Sequence, residues 1–131
     1  MLDLKALLSK ILDAIKVDYV VEEGTSGQWI YRKWNSGVLE QWYQGNPGTY
    51  TVNTQRGNMY SGGNMTYTFP VEFVGYPTVV SGVTLSTDAY VVLAQEKGHS
   101  ATSITIRIVA GSSVSANQYY TIHIYAVGKW K

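Results

Sequence analysis

The carboxylates and imidazoles are the side chains of this chain that could do chemistry, and they are few and dispersed. The two histidines are too isolated for the spacing of a zinc site, and cysteine is absent. Nucleophile elbows and phosphate-binding loops are also missing from the sequence. Glycoside cleavage needs only two carboxyl groups that flank a sugar, and the candidates for such a pair are Glu40, Glu72, Asp88 and Glu96. With no further support for that pair, we expect a non-catalytic protein without a metal or cofactor.

A segment predicted as a loop, residues 96–100, combines groups that suit a ligand rich in hydroxyls. Glu96 supplies an acceptor, Lys97 a donor and His99 an imidazole. A second candidate rim is the loop from Ser112 to Gln118, which Tyr119 closes. The predicted ligand-binding residues are therefore Glu96, His99 and Tyr119. A solvated turn without a ligand is the alternative for both loops.

The aromatic residues are biased toward rings with a polar group. The chain has 4 Trp and 11 Tyr but only 2 Phe, a bias that suits partly wet surfaces and subunit boundaries. Trp29, Trp34 and Trp42 lie on one predicted hairpin and could form a stacking platform for a sugar. The alternative, which we favour, is that all three pack the hairpin onto the rest of the domain and lock the helix junction.

The first seventeen residues contain leucine and isoleucine at helical spacing. From about Asp18 onward the sequence is instead rich in Tyr, Thr, Val, Ser and Gly. The apolar positions alternate by four and three, as in a heptad, and the predicted helix seam is Leu4, Leu8, Ile11 and Ile15. Leu7 and Leu12 widen the apolar face, which favours three helices over two. The alternative is a single amphipathic helix that folds back on its own domain. We therefore predict a trimerising helix at 1–17 and a head domain at 18–131.

The remainder of the chain predicts strands separated by turns. Ile104, Ile106 and Ile108 alternate with polar residues, as do Ile122 and Ile124, so these isoleucines are expected to face one core. With no helix between strands, the pattern predicts an antiparallel β-sandwich. The predicted strands are Asp18–Glu22, Trp29–Trp34, Val38–Tyr43, Met65–Val74, Thr78–Leu85, Ala89–Gln95, Ser103–Ala110 and Tyr120–Ala126.

Three polar residues on these strands are predicted to meet at the boundary between subunits. Arg107 and His123 are expected to face outward from adjacent isoleucine-lined strands, and Glu72 lies on a strand of the same kind. In a trimer they would form a polar interface near the axis. An imidazole buried there would make assembly sensitive to pH.

Charge and hydropathy exclude several classes of partner. Lys and Arg total 10 against 9 Asp and Glu, and the basic residues are scattered, so a nucleic acid is not expected as a partner. No apolar run approaches the roughly 18 residues of a membrane span, and charged residues interrupt the first helix. Membrane insertion and a secretion signal are therefore not expected.

Two parts of the sequence resemble a known family. The segments Tyr67-Thr-Phe-Pro-Val-Glu-Phe73, Tyr76-Pro-Thr-Val79 and Tyr120-Thr-Ile-His-Ile-Tyr-Ala-Val-Gly128 are similar to the H-type lectin-like sandwich of tail-fibre tips. The block Trp29-Ile-Tyr-Arg-Lys-Trp-Asn-Ser-Gly37, with Glu40 and Trp42, resembles tail fibre and minor structural proteins of phages and prophages of Gram-positive bacteria.

The resemblance implies a homotrimeric fibre tip in the virion, with an all-β, H-type lectin-like head behind a short coiled coil. Its partners would be a bacterial cell-surface glycan and other phage tail or baseplate proteins. The sugar-contacting residues of animal lectins of this fold have no match here, and Gln41 stands where many relatives carry cysteine. The alternative function is a trimerisation and capping module of the fibre with no ligand of its own.

Overall fold

One short helix precedes ten strands in the computed structural model of the chain, which describes residues 3–14, 17–86, 91–115 and 119–131. The elements are α1 (Leu4–Ala14), β1 (Val20–Ser26), β2 (Trp29–Trp34), β3 (Val38–Gly45), β4 (Thr54–Arg56), β5 (Met59–Ser61), β6 (Met65–Thr68), β7 (Thr78–Leu85), β8 (Val92–His99), β9 (Ser103–Ala110) and β10 (Tyr120–Lys129). Ile15, the last predicted seam residue, and Asp88 lie outside the described residues.

The strands form two antiparallel sheets. The first sheet has the order β1-β2-β3-β10-β7. In the second sheet β9 is central, with β5 and β6 along one edge and β8 along the other, and β4 extends it beyond β5. The predicted antiparallel all-β fold is confirmed, and so are the bounds predicted for β2, β7 and β9.

The core lies between the central strands of the two sheets. Burial alternates residue by residue along β9 and along β10 from Tyr120 to Ala126. Ile104, Ile106 and Ile108 are fully buried on one side, and Ile122 and Ile124 meet them from the other. A period of two is what a strand with one buried face requires, so the predicted inward positions are confirmed.

The two ends of the head differ in what they carry. At one end, the turn between β2 and β3 meets the helix and the C-terminus: the Asn35 amide donates to Asp13 at 3.0 Å, and the Trp130 backbone N–H donates to the Gly37 carbonyl at 2.9 Å. We call this the helix-proximal end. The opposite end, the remote end, carries the turn between β1 and β2 and the start of β10.

The helix keeps its apolar stripe away from the head. No residue of Leu4–Ala14 is buried, and the exposed fractions of Leu4, Leu8 and Ile11 are 73%, 57% and 48%. The helix touches the head through polar contacts, such as the 2.7 Å hydrogen bond between the Ser9 and Tyr19 hydroxyls. The alternative interpretation is that the helix folds back and packs its apolar stripe on its own domain. The exposed stripe does not agree with that interpretation.

Several predicted strand boundaries differ from the observed ones: β1 runs over Val20–Ser26 and not over Asp18–Glu22, and β3 and β10 extend beyond their predicted ends. Two further differences have identifiable reasons. The strand expected over Met65–Val74 ends at Thr68, just before the buried Phe69 and the proline at position 70, which has no backbone N–H for the ladder. The residues from Phe69 to Phe73 instead cover the core, from Trp29 of β2 to Gly128 of β10, and the two phenylalanine rings meet edge to face at 5.1 Å.

The second boundary error concerns the segment 96–100. It is not a loop between strands, because β8 continues to His99 and the turn to β9 begins at Ser100. A register shift between Glu96 and Gly98 marks a β-bulge. Gly98, with φ of 155°, lies at this bulge, and β8 pairs with β9 on both sides of it. A bulge of this kind lets a strand continue through a segment whose residue types predict a turn.

Gln41 holds the segment after β6 in place. Its side chain is fully buried, its amide nitrogen donates to the Val71 carbonyl at 2.7 Å, and its amide oxygen accepts from the Val71 N–H at 3.0 Å. The side chain thus imitates a strand partner for a backbone segment that has left the sheet. A cysteine could not satisfy both groups, so Gln41 has a defined role here.

We expect Gln41→Leu to lower the free energy of unfolding by about 2 to 4 kcal/mol, because it leaves a buried N–H and a buried carbonyl without partners. Urea denaturation would measure this. Gln55→Leu is the matched control on exposed β4 and should change stability by less than about 0.5 kcal/mol. Equal unfolding midpoints for the two variants would contradict the role assigned to Gln41.

Candidate functional site

The outer face of the first sheet carries a row of apolar and aromatic side chains across its strands. Ile30 of β2 pairs with Trp42 of β3, which pairs with Tyr125 of β10, which pairs with Val80 of β7. Ile30 is 47% exposed and Val80 is 63% exposed. We call these four residues the aromatic face. A contiguous group of exposed apolar side chains on an outer sheet face is typical of a surface that binds a ligand or another protein.

Glu40 fixes the orientation of two rings beside this face. One carboxylate oxygen accepts from the Trp34 indole N–H and the other accepts from the Tyr125 hydroxyl, both at 2.6 Å. Burial and the adjacent Glu40 carboxylate raise the pKa of Tyr125 from 10.0 to about 12. Tyr125 is consequently held as a neutral ring with its hydroxyl engaged.

Arg32 supports the same group of rings from the next row. Its guanidinium lies 5.9 Å from the ring centroid of Trp34 and 5.5 Å from that of Trp42. Glu23 accepts from Arg32 at 2.6 and 2.8 Å, which holds the guanidinium in this position. These cation–π contacts restrain the orientation of the Trp34 and Trp42 rings.

A groove with a volume of about 670 Å³ runs along the remote side of the aromatic face. Trp42 and Tyr125, whose ring centroids lie 5.6 Å apart, form part of its wall. His123 and Gln44, paired across β10 and β3, contribute polar groups, and the His123 Nε2 lies 3.1 Å from the Thr84 hydroxyl. This volume is within the range of small-ligand sites.

The three tryptophans of the hairpin have different positions. Trp29 is buried in the core, where its ring meets Phe69 edge to face at 5.5 Å. Trp34 and Trp42 lie on the outer face of the sheet. The prediction that all three pack the hairpin onto the domain therefore holds for Trp29 and is wrong for the other two. Trp29 and Trp34 are five positions apart on one strand, and an odd offset already places two side chains on opposite faces.

Two of the predicted ligand-binding residues do come together. Glu96 and His99 form an ion pair or hydrogen bond at the bulged end of β8, and the ring of Tyr76 lies 6.2 Å from that of His99. Tyr76 is 81% exposed. Beside this pair is a shallow hollow lined by Lys97, Gly98, His99, Ser100, Ser103 and Thr105. The corner lies at the helix-proximal end of the head.

Tyr119, the third predicted ligand-binding residue, lies at the remote end and is separated from His99 within one chain. It precedes β10, and its carbonyl accepts from the Ser86 N–H at 3.0 Å. Its side chain is 67% exposed. Residues 116–118 of the second predicted rim loop lie outside the described residues.

The predicted interface residues are also separated within one chain. Arg107 is on the outer face of the second sheet, where its Nε donates to the Gln95 side chain at 2.6 Å. His123 is on the outer face of the first sheet, and Glu72 is exposed at the helix-proximal end. The strands β9 and β10 are not neighbours but face each other across the core. An interface of all three residues would need different copies of the chain.

Among residues 3–14, 17–86, 91–115 and 119–131 there is no cluster of three or more potential metal ligands. No helix in these ranges is long and apolar enough to cross a membrane. Of the carboxylates considered for glycoside cleavage, Glu40 has both oxygens committed to ring donors.

We expect the pKa of Tyr125 to fall toward 10 in Glu40→Gln, because the substitution removes the neighbouring negative charge. Since the folded-state pKa is raised, this tyrosine's contribution to stability is complete below pH about 10 and is lost as the pH rises to about 12. Phenolate absorbance, taken as the difference between each protein and its Tyr125→Phe counterpart, measures the shift. Glu23→Gln is the control, and an equal shift there would contradict the assignment to Glu40.

Comparison with solved structures finds the same fold in pyocin tail fibres. The R1 pyocin fibre of P. aeruginosa comprising C-terminal residues 323–701 matches with a TM-score of 0.59 and 21% identity, over 92% of this chain and 31% of that chain. An N-truncated R1-type pyocin tail fibre matches with a TM-score of 0.58 and 21% identity, over 92% and 94%. The R2 pyocin fibre of P. aeruginosa gives 0.50 and 17%, over 92% and 29%.

No protein-family model matches the sequence, and no curated protein matches it. At 21% identity, the solved structures establish the fold. The all-β head with its short helix is a fold used in tail fibres.

Proposed function

We propose that this chain is the distal domain of a tail fibre, located in the virion, that attaches the fibre to the surface of a bacterial host. The observation that carries the proposal is the match to pyocin tail fibres over 92% of the chain. One of these structures is itself almost fully covered, at 94%, so the likeness extends over a whole tail-fibre fragment. The sequence motifs resemble tail-fibre proteins independently of this match.

Homotrimerisation through α1 is part of the proposal. The stripe of Leu4, Leu8 and Ile11 is aliphatic and exposed, and the head leaves it uncovered. An amphipathic helix of this length is marginal alone and gains its stability by packing its apolar face. Three copies around one axis would bury the stripe and would present three heads in the same direction.

A bacterial cell-surface glycan is the ligand class we propose for the head. Each site of such a head can bind weakly, because three linked sites raise the effective concentration of the second and third contacts. Exposed rings with polar groups, as on the aromatic face, suit the C–H faces and hydroxyls of sugars. Other tail or baseplate proteins would then be partners of the fibre as a whole.

We expect Leu8→Lys to convert the trimer to a monomer or to shift its dissociation to much higher protein concentration, because a charge would be buried at the helix seam. Multi-angle light scattering measures the mass directly. Ala6→Lys, exposed on the opposite side of the same helix, is the control and should leave the mass unchanged. A monomeric parent chain would contradict the trimer.

Attachment itself is tested by the binding of the fluorescently labelled chain to host cells and to polysaccharide extracted from them. We expect binding that is saturable and weakened strongly in the Leu8→Lys variant, since the avidity of three heads is lost. A trimer that binds neither cells nor polysaccharide would favour a capping module with no ligand of its own.

A further inference from the structure

Gly82 has no internal explanation in this fold. It lies in the middle of β7, pairs with His123 in unbroken register, and has no positive φ. A Cβ added at this position would meet no atom within 4 Å. Glycine weakens a strand interior, and without a bulge or bend it commonly marks a place where something external approaches closely.

The other strand glycines with ordinary φ are all explained by neighbouring rings. A Cβ on Gly24 would lie 2.5 Å from the Tyr31 hydroxyl, one on Gly45 would lie 2.5 Å from that of Tyr43, and one on Gly128 would lie 2.8 Å from the Phe73 ring. Each of these positions excludes a side chain because an aromatic residue of the same chain occupies the space. At Gly82 the corresponding space is empty and belongs to the groove beside the aromatic face.

The chemistry of the groove selects the class of ligand. None of its lining residues, all of which belong to the described part of the chain, carries a carboxylate, ammonium or guanidinium group. Trp42 and Tyr125 offer ring surface, and Gln44 and His123 offer groups that donate and accept hydrogen bonds. The charges beside the groove are engaged elsewhere, because Arg32 is paired with Glu23 and the Glu40 carboxylate accepts from Trp34 and Tyr125. An anionic ligand would find no cation to pair with in this groove.

We propose that this groove binds one ring of a neutral sugar, with Gly82 leaving the space that the sugar fills. The inference rests on the proposed glycan-binding function and adds the site and the charge class. An apolar ring face would lie against Trp42 and Tyr125, and hydroxyls would meet Gln44 and His123. A lining that is apolar with a few polar groups is the general character of small-ligand sites.

A second copy of the chain is a less suitable occupant. The groove combines uncharged hydrogen-bonding groups with an unfilled strand position, whereas the exposed stripe of α1 is purely aliphatic. Self-association is therefore assigned to the helix and sugar binding to the groove. Light scattering on each variant, run beside the glycan-binding assay, separates the two occupants, because it measures oligomeric mass.

The test is Gly82→Val, assayed as the full chain on an array of neutral and anionic bacterial glycans. We expect the parent chain to bind neutral glycans and the variant to lose that binding, because valine would extend into the groove from a position where a Cβ meets no atom within 4 Å. Its thermal stability should be equal or higher, since valine suits a strand better than glycine. Gly63→Val, at a position equally open but outside the groove, is the control and should bind as the parent does.

Gln44→Ala serves as a second variant, because Gln44 is exposed and its loss should weaken neutral-glycan binding without unfolding the head. Retained neutral-glycan binding in both variants would overturn the groove assignment while leaving glycan attachment intact. Binding of anionic glycans alone would overturn the charge class. Dissociation of the trimer by Gly82→Val would show that the groove is a subunit interface, and no binding by the parent chain would remove the proposed function itself.

Discussion

The packing of β9 against β10 is the interaction on which the rest of the structure depends. Both strands are central in their sheets, and each places every second residue in a shared core that includes Ile106 and Ile122. A shift of one residue in either strand would expose all of these isoleucines, so their burial fixes the register of both sheets. The outer faces follow from it: once Ile122 and Ile124 point inward, His123 and Tyr125 must point outward, beside Gly82 and Val80.

The helix-proximal end is fastened by contacts that join the core to the helix junction. Gln41 binds Val71 in the segment that covers the core and reaches Gly128, and Trp130 donates from its indole to the Trp34 carbonyl at 2.8 Å. Asp18 accepts from the hydroxyl and the backbone N–H of Ser36, and these bonds lower the pKa of the Asp18 carboxyl. Polar contacts at the helix-proximal end thus orient α1 and leave its apolar stripe exposed.

Periodicity predicted the strands whose two faces differ, and it failed where the chain leaves the sheet. β9 was predicted with its observed bounds because Ile104, Ile106 and Ile108 alternate with polar residues. The segment after Thr68 also alternates, yet Pro70 and the bond between Gln41 and Val71 take it out of the ladder, and that long-range bond has no local signal. The H-type lectin topology and the Gram-positive origin stay predictions. The groove was missed because Ile30, Trp42, Tyr125 and Val80 become neighbours only through pairing of four strands.

The helix and the aromatic face expose apolar side chains of different kinds, and this difference supports the separate roles that we propose for them. Leu4, Leu8 and Ile11 offer no hydrogen-bonding group, so burying them against like residues leaves nothing unsatisfied. Trp42 and Tyr125 lie beside amide, imidazole and hydroxyl groups that would need partners if a flat protein surface covered them. A ligand with an apolar ring face and its own hydroxyls satisfies both kinds of surface at once. Three such grooves on one helical stem would allow weak individual contacts to hold a fibre on a repetitive surface.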